Sequence, residues 1–152
     1  MEKIMKSPNK KSVIALSGGF DPPNPGHAAM IMDAAKIGDV VIILNSDDWC
    51  ARNRWNKKTF LPWNRRRDIL MEIPGVIDVV PVDDEDDTVR AALEGLSPDF
   101  FGNGGSRNVM NTPEVDRCRQ LGIGTVWFLG SVVTSEAEQA INDAIKRAKG
   151  GL

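Results

Sequence analysis

Cysteine is scarce in this chain: Cys50 and Cys118 are the only two among 152 residues. They are too few and too far apart for a disulfide framework or a zinc site, and read as free, buried thiols of a reducing compartment. A basic excess is missing too. Lys and Arg number 19 against 21 Asp and Glu, for a formal net charge of −2, whereas a chain that wraps a nucleic-acid backbone draws its affinity from neutralising many phosphates. No nucleic-acid partner is expected, and any bound phosphate should belong to a small molecule. No run approaches the roughly 18 apolar residues of a membrane span, and residues 1–12 are polar and lysine-rich without the apolar core of a secretory signal. A cytoplasmic chain with no membrane partner is the expectation. Internal repeats and low-complexity tracts are absent, and histidine occurs once, at His27.

What is present is the composition of a globular protein, 41% hydrophobic and 26% charged. The length fits one domain over residues 1–152, with 1–11 as a flexible tail. Short apolar runs rich in β-formers alternate with helix-forming stretches. Strands are predicted over 12–16, 40–44, 76–82, 99–101 and 125–129, and helices from Pro25 to 36, then over 64–73, 88–96, 112–121 and 135–148. That alternation predicts an α/β, Rossmann-like, doubly wound five-stranded parallel sheet with helices on both faces. Residues 45–48 read as a turn, and 50–62 and 102–111 as loops. The acidic run 83–87 reads as a solvated connection, with a cation site as the alternative.

In open sheets of this kind ligands bind beyond the carboxyl ends of the strands. His27 falls in the first turn of the first predicted helix, just past the first strand. A helix start offers unpaired N–H groups and partial positive charge, which attract phosphate, and Gly18 and Gly19 let backbone approach an anion closely. The glycine spacing is neither that of a dinucleotide fingerprint nor that of a Walker A loop.

The stretch Gly19-Phe20-Asp21-Pro22-Pro23-Asn24-Pro25-Gly26-His27 resembles the Gly-x-Phe-Asp-x-x-His-x-Gly-His signature of the cytidylyltransferase-like nucleotidyltransferases. Asn24 stands where the first histidine usually is. Leu44-Asn45-Ser46-Asp47, the stretch 62–70 with Arg66, Pro98-Asp99-Phe100-Phe101 and Gly104-Gly105 resemble later segments of the branch that holds the glycerol-phosphate cytidylyltransferases and heptose-phosphate adenylyltransferases. The resemblance runs from about Val13 to Leu129.

It implies an enzyme that transfers a nucleoside monophosphate from a nucleoside triphosphate, CTP or ATP, to a phosphorylated sugar or polyol. The acceptor oxygen displaces pyrophosphate in line, with Mg²⁺ bridging phosphates mostly through water. By the same resemblance His27, Asn24 and Arg54 are catalytic. Gly18, Gly19, Phe20, Asp21, Gly26, Arg66, Gly104, Gly105, Thr134 and Ser135 bind nucleotide, and Asn45, Asp47, Lys57 and Lys58 the acceptor. His27 would donate to phosphate as an imidazolium, its pKa raised by bound polyphosphate. Arg54 occupies a family lysine's position, an exposed basic loop being the alternative. Asp21 is a metal-ligand candidate or else a buried carboxylate that closes the turn. Thr134 or Ser135 caps the last helix or donates to phosphate.

The family's Lys-Gly-Gly-Asp-Tyr segment is here Asn103-Gly104-Gly105-Ser106-Arg107, and the cytidylyltransferase pattern near the last helix is unmatched. Two other readings follow from these departures: a catalytically weak or inactive nucleotide-binding module, and a relative with a flavin, pyridine-nucleotide or pantetheine phosphate as acceptor. Trp49, Trp55 and Trp63 are placed to stack on a ring or to pack. Members of this branch commonly pair as homodimers.

Overall fold

Side-chain alternation along the strands decides the architecture of the computed structural model, which describes residues 12–150. The tail expected over 1–11 lies outside them. Five strands, β1 (Val13–Gly18), β2 (Asp39–Leu44), β3 (Val76–Val80), β4 (Phe100–Gly104) and β5 (Gly124–Leu129), form one sheet in the order β3-β2-β1-β4-β5, every pair parallel. The helices are α1 (Pro25–Ala35), α2 (Asp47–Arg52), α3 (Trp63–Leu70), α4 (Arg90–Leu96), α5 (Val115–Leu121) and α6 (Ser135–Gly150).

Successive strand residues point to opposite faces. Ile14, Leu16, Val40, Ile42 and Leu44 join a buried cluster with Ala28 and Ile31 of α1, Ile69 and Leu70 of α3 and Ile141 of α6. Ala15, Ile43 and Phe101 form a second cluster with Leu93 of α4 and Cys118 of α5. Helices thus cover both faces, as expected. Strand order reverses between β1 and β4, which places the switch-point crevice beside the loop after β1.

Three local expectations are corrected. Residues 47–52, read as turn and loop, form α2: the Ser46 hydroxyl accepts the Trp49 N–H at 3.0 Å, Asp47 and Asp48 fill the first turn and Arg52 the last. β4 runs on to Gly104 instead of stopping at 101. Gly102 is there for packing, since a Cβ would lie 2.6 Å from Leu129 Cδ1 and 2.7 Å from Leu16 Cδ2. The acidic run is not merely solvated: Asp84 is buried at 3% exposure and accepts from Asn45 Nδ2, Ser46 N–H and Ser46 Oγ at 2.9, 2.8 and 2.7 Å. It holds the start of α2. Arg52 Nη2 reaches Asp84 O and Asp87 Oδ1 at 2.9 and 3.1 Å, tying the far end of α2 to the same run. No helix among the described residues is long and apolar enough to cross a membrane.

Candidate active site

The turn from β1 into α1 fixes the only imidazole in the chain. Asn24 is the N-cap of α1, with Pro25 in the first turn, where its missing N–H costs nothing. Asn24 Oδ1 accepts the His27 N–H at 2.9 Å, and His27 Nδ1 accepts the Asn24 N–H at 3.1 Å. This is a reciprocal capping box with histidine where glutamate usually stands. Because Nδ1 accepts, the ring proton sits on Nε2 in the neutral tautomer. Phe20 packs edge-on to the imidazole, with ring centroids 4.6 Å apart and planes at 60°. Its backbone takes φ 47°, a left-handed conformation costly for a bulky side chain, held in place by the buried ring. Burial lowers the pKa of His27 from 6.5 to about 4. The free protein therefore presents a neutral Nε2–H donor at neutral pH, whereas the imidazolium expected from sequence belongs to the polyphosphate-bound state.

A cavity of about 320 Å³ opens beside this ring, lined by Gly19, Phe20, His27, Trp49, Asn53 and Arg54, with Asn24, Asp21 and Cys50 also contributing. Arg54 Nη1 donates to the Asp21 carbonyl at 3.0 Å and lies 3.9 Å from Asp21 Oδ2. Its Nε is buried without a partner. The Cys50 thiol has its pKa raised, chiefly by burial, which makes it a poor nucleophile. Gly18 and Gly19 also matter for packing: a Cβ on Gly18 would meet the Phe20 ring at 3.1 Å, and one on Gly19 would meet Cys50 Sγ at 3.1 Å and Trp49 at 3.2 Å. At Gly26 a Cβ would approach Asn24 Oδ1 to 3.2 Å and crowd the cap.

Several of the expected site residues also shape the site. Asp21 accepts from Thr59 Oγ1 at 2.8 Å, the Phe60 N–H at 2.8 Å and the Leu61 N–H at 2.7 Å. Burial opposes its ionisation, but these hydrogen bonds and the charge of Arg66 outweigh it and lower the pKa. Asp21 closes the turn and anchors residues 59–61, the structural alternative read from sequence. Arg66 is fully buried: Nε donates to Leu61 O, Nη1 to Gly19 O and Asn45 O, and Nη2 to Asp47 Oδ1, at 2.9, 2.7, 2.9 and 2.6 Å. It clamps the loops after β1 and β2 together and does not line the cavity beside His27. Asn45 Nδ2 donates to Asp84 Oδ2 at 2.9 Å, and Asp47, paired with Arg66, keeps a part-exposed carboxylate.

The remaining candidates lie apart from the cavity. Lys57 and Lys58 are exposed and do not line it, and Lys57 Nζ donates to Arg52 O at 3.3 Å. Gly104 and Gly105 stand at the carboxyl end of β4, on the same edge of the sheet. Thr134 Oγ1 accepts the Ala137 N–H at 3.1 Å, the capping alternative, and Ser135 Oγ donates to Glu136 Oε2 at 3.4 Å. Of the tryptophans, Trp49 lines the cavity, Trp63 Nε1 donates to Leu44 O at 3.0 Å, and Trp55 is 92% exposed. Asp84 and Asn53 were not singled out from sequence. A Ser-Asp-Asp helix start at 46–48 was the signal for α2, and hence for Asn53 at its end.

A five-stranded parallel sheet of reversed strand order, with helices on both faces, defines a Rossmann-like protein. The chain belongs to the cytidylyltransferase-like family of nucleotidyltransferases, whose model matches residues 15–149. The bifunctional protein HldE of Blochmanniella floridana is 32% identical over 101 residues, 66% of this chain and 21% of that protein. HldE of Helicobacter pylori strain P12 is 28% identical over 105 residues, 68% of this chain and 22% of that protein. HldE of Yersinia enterocolitica serotype O:8 is 27% identical over 146 residues, 93% of this chain and 29% of that protein. The chain thus spans less than a third of these relatives' length. A lipopolysaccharide core biosynthesis protein from Thermoplasma volcanium shares the fold, with a TM-score of 0.62 at 20% identity over 77% of this chain and 93% of that one.

Proposed function

We propose that this chain transfers a nucleoside monophosphate from CTP or ATP to a phosphorylated sugar or polyol. The observation that carries the reading is the joint presence, in the lining of one cavity at the start of α1, of His27 and Arg54. An acceptor oxygen attacks the α-phosphorus, a new P–O bond forms, the bond to the β-phosphate's bridging oxygen breaks, and pyrophosphate leaves. His27 Nε2–H donates to charge that develops on phosphate oxygens, and Arg54 supplies a fixed positive charge. No covalent nucleophile is required, in keeping with the inert Cys50 thiol.

The residues present do not form a cage for a resident metal: Asp21 is taken up by the 59–61 segment, and no group of three His, Cys, Asp or Glu among the described residues is arranged to hold an ion. Mg²⁺ belongs to this proposal as the counter-ion that arrives on the triphosphate. Action in the cytoplasm and as a homodimer belong to it as well. The test follows radiolabel from nucleoside triphosphates in the presence of phosphorylated sugars and polyols. Label from the α-phosphorus must enter the acceptor product while label from the γ-phosphorus leaves as pyrophosphate. Retention of the α-label on free nucleotide throughout, with the triphosphate still bound, would favour the weak or inactive binding module, to which the uncharged cap at Asn24 also points.

A further inference from the structure

A second cavity, of about 200 Å³, lies between the 22–23 turn, the 60–61 segment, α3 and α6. Pro22, Pro23, Phe60, Leu61, Ile69 and Ile145 supply an apolar lining, and two cations complete it, Arg65 from α3 and Lys149 from the last turn of α6. Neither the Arg65 nor the Lys149 side chain makes a hydrogen bond or ion pair among the described residues, in contrast to neighbouring Arg66, whose side-chain nitrogens all donate. An apolar cavity of about 150 Å³ holds one benzene. A cavity of 200 Å³ therefore has room for a body of about six carbons. Apolar walls favour the transfer of such a body from water, and two uncompensated cations favour an anionic head. Polar side chains other than these cations are missing from the lining, which disfavours the hydroxyl-rich sugars and polyols proposed for the first cavity.

We propose that this cavity is a binding site for a small amphipathic anion, a carboxylate or phosphate monoester on a body of about six carbons. The site is separate from the catalytic cavity and its existence does not depend on the transferase reading. The two share Pro22, and the 60–61 wall hangs from Asp21 through the Phe60 and Leu61 N–H groups.

The test uses the full chain with isotope-labelled isoleucine methyls and hexyl phosphate as the probe, with 1-hexanol and inorganic phosphate as half-ligands. Hexyl phosphate should shift the Ile69 and Ile145 methyls saturably, about tenfold or more tighter than either half-ligand. The surface variants Arg65→Gln and Lys149→Gln should each weaken it while leaving the thermal melt unchanged. Equal binding of hexanol and hexyl phosphate, indifference to both variants, or shifts confined to residues around His27 would overturn the proposal. So would movement of the same two methyls, without ligand, on removal of residues 151–152, because the chain itself would then fill the cavity.

Discussion

The protonation state of His27 can be measured without mutation, because it is the only histidine in the chain. Its Nδ1 accepts a backbone N–H and its ring is packed against Phe20, so protonation would break the capping box and place a charge in a half-buried setting. With the pKa lowered to about 4, the imidazolium at pH 7 is present in about one molecule in a thousand. A proton–nitrogen correlation spectrum of labelled histidine should show Nδ1 bare and Nε2 protonated, with a titration midpoint near 4 rather than 6.5. Between these two pH values the unfolded chain binds a proton that the folded one refuses, so stability falls as pH drops through that window. The loss amounts to at most about 3 kcal/mol, and His27→Gln should remove that part of the pH dependence. Addition of a nucleoside triphosphate should raise the midpoint, because nearby phosphate charge favours the imidazolium. A midpoint of 6.5 or above in the free protein, or a proton on Nδ1, would refute the reasoning.

Other perturbations separate shaping from chemistry. Arg66→Met should destabilise by about 3 kcal/mol or more in a denaturant melt, since the carbonyls of Gly19, Asn45 and Leu61 all lose their donor. Asp84→Ala should cost about 2 kcal/mol, whereas Glu85→Ala in the same acidic run should stay within about 0.5 kcal/mol. Asn24→Ala should lose about 1 kcal/mol by removing the N-cap, and Asn24→Asp should retain most of it, both read from thermal unfolding. Gly130→Ala should destabilise strongly, because φ is +71° and the new Cβ would fall 2.6 Å from Met30 N.

The sheet and its two helical layers were legible because apolar runs such as 40–44 and glycine-bounded turns leave few alternatives. The site turn was legible from Gly19 to His27 for the same reason: a strand, a glycine turn and a capped helix must follow each other there. The roles of individual polar residues were not. Asp21, Asn45, Asp47 and Arg66 are required positions whose side chains turn to backbone groups and to each other, and spacing alone does not say which way a side chain turns. Asp84 was hidden among four other acidic residues, although only its burial distinguishes it. The short helix α2 was obscured by turn-forming residues that serve as its cap and first turn.

The most direct test of the central claim is pyrophosphate release with ATP, CTP, GTP and UTP, each with Mg²⁺, against a panel of phosphorylated sugars and polyols, comparing the natural chain with His27→Gln. Release is expected with CTP or ATP and at least one acceptor, reduced about 10²- to 10³-fold in the variant. Release that persists at full rate in His27→Gln, or none with any pair while triphosphate still stabilises the fold, would contradict it.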